Sequence, residues 1–275
     1  MSSRFTRDYI LTIGLGAQKV EIRPPMNISF SAIENVDNRA LNKLQVKIPG
    51  LKESTRLKLI KYELDKSIYL PIELIAGYEG SIHRIFKGSV QTGALSRDGQ
   101  LTITLDCQDG HPDFNEAYTS QTVTSRALAI DALIGDMPHV KKGIITQLKE
   151  LSRPKVLVGS SSALLSEIAE GRQMYIKDEK LYLLNENEVI SGIAPIVSAE
   201  TGLKGIPVQD HIETTFTTML NPSLKIGQLC ELVSSKNPAV NGLYKIWQIV
   251  TNGAYKGVWE QTVTCRAQND YKVVR

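Results

Sequence analysis

The sequence predicts a mainly β protein, with two β-barrel modules flanking a smaller α+β insert. Three observations predict it. Short runs rich in Ile, Val and Thr, punctuated by Gly, Pro and Asp-Gly, fill the first 110 residues. Helical spacing takes over in the middle third. Alternating runs return from residue 206 onward. The boundaries that follow are 1–110 for the first barrel, 111–205 for a helical connection and small peripheral α+β unit, and 206–275 for the second barrel, which is free to share strands with the middle.

Each element has its own reason. YILTIGL, QKVEIR and MNISFSAI are short β-branched runs broken by Gly, Gln and Pro. In LNKLQVKI, Leu44, Val46 and Ile48 alternate with Lys43, Gln45 and Lys47, the pattern of a half-buried strand. After Pro49-Gly50, Leu57, Ile60 and Leu64 recur at helical spacing behind Ser54, which predicts one short helix over about 53–64 with Ser54 as its cap. YLPIELIAG alternates Leu70, Ile72, Leu74 and Ala76, and Pro71, with no N–H to give, places itself at a strand start or an edge. Asp98-Gly99 marks a hairpin turn before LTITLDC. Seven strands and one helix in this span predict a closed or nearly closed barrel.

In the middle, TSRALAIDALIGD reads as a helix over 124–134, and KKGIITQLKEL as a second short helix before Pro154. PKVLVGSSSALLSEIAEGRQMYIKDEKLYLL reads as strand, Ser-rich turn, helix, strand, turn, strand. HIETTFTTML, QLCELV, LYKIWQIV and VWEQTVTCRAQ then read as strands, the last with Trp259, Val263, Cys265 and Ala267 on one face. The outer thirds share a texture but no residue-level repeat.

Composition bounds the function. The chain has 275 residues, 42% hydrophobic and 22% charged, with a mean hydropathy of −0.13. These values describe a folded globular chain. Net charge is +3. Basic and acidic residues number 15 and 12 in 1–110, 10 and 12 in 111–205, and 7 and 5 in 206–275, so no third carries a phosphate-gripping stripe. Cys107, Cys230 and Cys265 form no CxxC and predict buried thiols, not a disulfide or zinc framework. The N-terminus lacks a secretory pattern, no run approaches a membrane span, and a soluble cytoplasmic product is expected.

Motifs with chemistry are few. VLVGSSSALL has the strand–turn–helix layout of a nucleophile elbow around Ser160–Ser162, but Ala163 replaces the closing glycine and only His211 lies downstream. Serines capping a helix explain it as well. His83, His111, His139 and His211 are not spaced as metal ligands. DCQDGHPDF gathers Asp106, Asp109, His111 and Asp113, where turn chemistry competes with a metal or acid–base site. Gly14 and Gly16 lack the third glycine of a dinucleotide loop. Trp247 and Trp259, on two neighbouring strands, are core anchors or a stacking platform for a sugar or base.

Two regions carry a resemblance. IELIAGYEGSIHRIFKGSV with LTITLDCQDG resembles the first tube-type domain of phage baseplate hub proteins. TGLKGIPVQD, LNPSLKIG, NGLYKIW and the terminal Cys265-Arg266 strand resemble their closing domain. TSRALAIDALIGD is similar to the helical connection between them, and the match runs from about Tyr9 to Gln268. The resemblance implies two tail-tube-like barrels per chain. It implies a homotrimer in the baseplate of contractile-tailed phages, a ring joining the sixfold tail tube to the threefold spike around the DNA channel. Related hubs belong to type VI secretion spike proteins and other contractile injection systems. Implied partners are further copies of the chain, the tail tube protein, the spike protein and other baseplate proteins. DNA passes without specific binding, and no membrane, metal, cofactor or catalytic residue is implied. The chain carries neither a β-helical spike repeat nor a lysozyme-like segment, so both are expected on separate proteins. The expected location is the virion tail, after assembly in the host cytoplasm.

On this reading YLPIELIAGYEG is barrel wall whose strand edges neighbours complete. Leu70, Ile72, Leu74, Tyr78, Asn221 and Pro222 are the interface candidates. The rival readings are a tube-end or distal tail protein of a non-contractile phage, a serine hydrolase using Ser160–Ser162, and a binding module using the two tryptophans.

Overall fold

The protein is described by a computed structural model over residues 6–14, 16, 19–36, 41–61, 70–110, 112–267 and 270–274. It is mainly β, and its main sheet is a curled half-barrel. The first third supplies β1 (Arg7–Ile13), β2 (Val20–Ile22), β3 (Ser29–Asn35), β4 (Lys43–Pro49), α1 (Glu53–Lys61), β5 (Leu70–Tyr78), β6 (Ser81–Asp98) and β7 (Gln100–Gln108). Alternation works as read: in β4 Leu44, Val46 and Ile48 are buried and Lys43, Gln45 and Lys47 exposed. Gly99, at φ +72°, turns β6 into β7. In α1 the Lys52 carbonyl accepts the first N–H groups, from Thr55 and Arg56. Ser54 therefore lies within the first turn and is not the cap; residues 62–64 of the expected helix lie outside the described residues.

The middle supplies α2 (Asp113–Glu116), β8 (Tyr118–Val123), α3 (Arg126–Gly135), β9 (Lys141–Ile145), β10 (Lys155–Ser160), α4 (Ser161–Ala169), β11 (Gln173–Lys177), β12 (Lys180–Leu184), β13 (Glu188–Val189) and β14 (Ile196–Val197). Ser125 caps α3, its hydroxyl accepting the Leu128 N–H. The expected helix over KKGIITQLKEL is corrected to strand β9, parallel to β12. Gly143 and the β-branched pair Ile144-Ile145 disfavour helix. A Cβ at Gly143 would also stand 2.6 Å from the Leu181 carbonyl, so this glycine lets the strands approach. α3 and α4 close over their own core of Ile130, Leu133, Leu157, Leu165 and Met174.

The last third supplies β15 (Leu203–Asp210), β16 (Glu213–Met219), β17 (Leu229–Leu232), β18 (Gly242–Ala254), β19 (Trp259–Arg266) and β20 (Lys272–Val273). His211 falls in the β15–β16 turn at φ +49°, not inside a strand as read.

The outer thirds join in one 13-stranded sheet, ordered β15-β16-β19-β18-β3-β4-β7-β6-β5-β1-β2, with β14 and β17 branching from β18. The link is antiparallel pairing of β18 with β3, from Gln248 opposite Asn35 to Ala254 opposite Ser29. β5 pairs with β1 on one side and β6 on the other. The edge expected around Leu70–Ala76 is therefore corrected to an interior strand, with Pro71 at its start. No helix among the described residues is long and apolar enough to cross a membrane.

Candidate assembly surface

Two four-strand units in the sheet repeat each other: β15-β16-β19-β18 and β3-β4-β7-β6. Both hold the same irregularity. The β6–β7 register shifts between Val90 and Thr92, and the β18–β19 register between Ile246 and Gln248. In each, the residue before the shift faces a buried cysteine, Cys107 opposite Val90 and Cys265 opposite Ile246. The signal in the sequence was Thr104-Leu-Asp-Cys107 against Thr262-Val-Thr-Cys265. It was missed because the two strands agree at only those ends. The bulges occupy corresponding places and bend each unit alike.

One face of this double unit is core and the other is uncovered among the described residues. Register places Thr217, Thr262, Val250, Ile33 and Lys43 in one row across the units, and Glu260, Asn252, Ser31, Gln45 and Asp106 in the next. Short polar side chains dominate, and both charge signs occur, with Lys43 and Lys47 against Asp106 and Glu260. Gln45 Nε2 donates to Asp106 Oδ1 at 2.9 Å, and Lys204 pairs with Glu260 at 2.7 Å. Such a face offers a polyanion no continuous run of cations.

Trp259 locks the two units together. It is 4% exposed and, although on β19, sits in the core of the β3-β4-β7-β6 unit. Its Nε1 donates to the Gly77 carbonyl at 3.2 Å and its ring meets Phe30 edge-on, centroids 5.5 Å apart. Arg7 donates to the carbonyls of Ala254 and Tyr255 from the far end of the sheet. Trp247 is buried under the Arg266 guanidinium, 3.5 Å from the ring centroid. Neither tryptophan presents an open stacking face.

Of the six interface candidates, Leu70, Ile72 and Leu74 point into the core. Tyr78 is half-buried at the end of β5. Asn221 and Pro222 form the turn after β16, where Asn221 Oδ1 accepts from the Ser223 amide and hydroxyl and Leu220 and Leu224 are buried on either side.

The Ser-rich turn carries no triad among the described residues. Ser161 is fully buried, its hydroxyl 2.8 Å from Thr119 Oγ1, which donates to Asp136 Oδ2 at 2.5 Å. Ser160 stands at the cap position of α4, yet its hydroxyl bonds Ser162 and no backbone N–H, which corrects the capping expectation. His211 is solvent-exposed in its distant turn.

The aspartates of DCQDGHPDF separate. Asp106 lies on the uncovered face, Asp113 accepts from His139, and His111 lies outside the described residues. Asp109 is the junction. Its buried carboxylate accepts the N–H groups of Asp178 at 2.8 Å and Glu179 at 3.2 Å. Those are the two left-handed residues of the β11–β12 turn, at φ +52° and +63°. Lys177 pairs with Glu34 beside them, and Lys87 with Glu179. The middle unit is thereby fastened to the sheet.

Burial pushes the Asp109 carboxyl up to about 7, against the pull of the two N–H groups and Lys177. A carboxyl raised in the folded state supports folding below its unfolded value of about 4. That support is lost as pH rises through about 7. Asp109→Asn is expected to flatten this loss. Asp109→Ala leaves two donors unmet and is expected to cost ~2 kcal/mol. Urea melts at acid and neutral pH check both; an Asn variant as pH-sensitive as the parent contradicts the assignment.

Lys245 is the second junction. It is fully buried on β18, with Nζ donating to Gln173 Oε1 at 2.6 Å and to the carbonyls of Glu186 at 3.0 Å and Glu188 at 2.5 Å. It ties β11 and the loop before β13 to the sheet.

The family model of Baseplate hub gp41 matches residues 10–252. No protein of curated function matches the chain by sequence. The 43 kDa tail protein of prophage MuSo2 from Shewanella oneidensis is similar in structure, with TM-score 0.66, 10% identity, and 94% of this chain and 98% of that one covered. A tail protein from Neisseria meningitidis MC58 aligns with TM-score 0.69, 9% identity, and 96% and 98% covered. The Escherichia coli c3393 protein aligns with TM-score 0.65, 8% identity, and 96% and 78% covered. That protein is described as a type VI secretion component structurally similar to the T4 tail proteins gp27 and gp5. At these identities the three show a shared fold.

Proposed function

The chain belongs to the baseplate hub gp41 family, and on that premise we propose that it is the structural hub of a phage tail baseplate. In this reading it forms a trimeric ring that joins the sixfold tail tube to the threefold spike and surrounds the DNA channel. Each four-strand unit, with the strands that curl back over its core, acts as one tube-type module. The middle unit of 111–205 lies outside the ring.

The observation that carries the reading is the repeat within one sheet. Two units per chain, in three chains, make six similar wall segments, which reconciles a sixfold neighbour with a threefold one. The uncovered face of short polar side chains and mixed charge suits a channel wall. Duplex DNA carries one charge per ~1.7 Å, and a wall that grips it obstructs passage. The description of c3393 as similar to T4 gp27 and gp5 supports the same role. Leu70, Ile72 and Leu74 back the wall from its core side, while Tyr78, Asn221 and Pro222 stand where a neighbour or the tube and spike proteins reach them. The role is architectural, in the virion, after assembly in the host cytoplasm.

Gold labelling of an epitope-tagged chain in assembled tails, with copy counting by mass spectrometry, tests it. Label at the tail tip at three copies per particle is expected. Label along the tube, or absence from particles, contradicts it.

A further inference from the structure

We propose that a double cleft, between the middle unit and one end of the β18–β19 pair, binds the carboxylates of an acidic segment of another tail protein. The larger cleft, of 480 Å³, lies where the turn after α4 and the start of β11 meet the sheet. Arg172 and Gln173 line it from the middle unit, Trp247 and Arg266 from β18 and β19, and Lys149 from the loop after β9. The smaller cleft, of 140 Å³, lies between α3 and α4 and is lined by Arg126, Lys155 and Glu167. Glu170 belongs to both, so the two adjoin.

What the clefts lack is acceptors. Three buried side-chain nitrogens meet no partner: Arg126 Nε, Arg126 Nη1 and Gln173 Nε2. No other buried side-chain nitrogen among the described residues is left so. Gln173 is 3% exposed, and Lys245 fixes which way its amide faces, because Lys245 Nζ donates to Oε1 and leaves Nε2 over. All three atoms donate and none accepts. A water brings hydrogens as well as lone pairs. A carboxylate brings lone pairs alone, with the charge that a guanidinium favours.

One carboxylate is already held in this way. Glu170, in a left-handed turn at the end of α4 (φ +51°), meets Arg126 Nη2 with Oε1 and Arg172 Nη1 with Oε2, the latter at 3.4 Å. It leaves Arg126 Nε and Nη1 unmet. The charges agree. Five cationic and three carboxylate side chains line the two clefts. Glu213, pairing with Arg266 from outside them, is a fourth carboxylate, so one positive charge remains. Lys149 is exposed and has no carboxylate partner among the described residues. Adjoining clefts with unmet donors in each suit two carboxylates on one flexible chain, which a single inorganic ion does not span.

The partner's place in the tail rests on the hub reading, which puts the middle unit outside the ring, within reach of other tail proteins. Binding itself is read on the full chain alone, so neither failure implies the other. The probe is a fluorescein-labelled peptide of alternating Glu and Gly, followed by anisotropy. Saturable binding that weakens as salt rises is expected, with none for the matching Lys and Gly peptide. Lys149→Glu, at an exposed site, is expected to weaken binding about tenfold with unchanged circular dichroism. Lys256→Glu makes the same charge change beyond the opposite end of the β18–β19 pair and is expected to leave binding unchanged. Arginine Nε–H spectra read the buried donor directly: the signal missing from Arg126→Lys is expected to shift as the peptide is added. Absence of binding overturns the proposal, as do equal losses in the two Glu variants or an Arg126 signal that stays still. Inorganic phosphate that displaces the peptide at equal concentration reduces the clefts to a site for an adventitious ion only, and overturns it too.

Discussion

Lys245→Met is expected to lose about 2–3 kcal/mol of stability at neutral pH, the cost of leaving its buried neutral acceptors unmet. The ammonium donates to Gln173 Oε1 and to the Glu186 and Glu188 carbonyls at one point. Met fills the volume but leaves these oxygens dry and unmet. Burial lowers the Lys245 amine to about 8, with Glu188 and Glu186 pulling the other way. A base depressed in the folded state contributes stability above its unfolded value, near pH 10.5, and loses it as pH falls through about 8. The parent therefore gains from this group as pH rises from 8, while the Met variant does not. The gap between them is expected to widen by ~3 kcal/mol toward pH 10.5. Urea melts of both proteins across that range measure it, and a gap that closes as pH rises contradicts the lowered Lys245 amine.

Trp259→Ala is expected to cost about 3–5 kcal/mol, as for other buried aromatic truncations. Loss of the indole leaves a hole in the core of the β3-β4-β7-β6 unit, orphans the Gly77 carbonyl, and removes an edge-on ring pair with Phe30 worth ~1 kcal/mol. It also parts two stretches distant in sequence, so both units should melt together at lower denaturant. Trp259→Phe keeps the Phe30 contact and should lose about half as much. Loss confined to one unit, seen as a split transition, contradicts the role of Trp259 as the lock.

What the sequence disclosed was local. Alternation named most strands of both outer thirds, though not β15 or β20, and the buried face of β19, with Trp259, Val263 and Cys265, is the face read from the pattern. Helices α3 and α4 followed from spacing. Partner choice was not local. Nothing in Gln248–Ala254 announces Ser29–Asn35 as its neighbour, because a strand's pattern states which face is apolar and not whose edge it meets. The same gap put β5 at an edge. β9 was misread because Lys141–Ile145 is short and its glycine is explained only by Leu181 across the ladder. Lys245 was invisible because a lysine in an alternating run reads as solvent-facing. It turns inward two residues before the bulged Trp247, where burial runs unbroken from Tyr244 to Trp247. Asp109 sat in plain view in a turn-like motif, but its task lies at Asp178 and Glu179, far along the chain.

A density map of the assembled tail at strand resolution tests the central claim most directly. The account predicts six four-strand units from three chains in one closed wall, with the row of Thr217, Thr262 and Lys43 toward the channel. Chains packed as separate globules, or the same wall with that row turned away from the DNA, would contradict it.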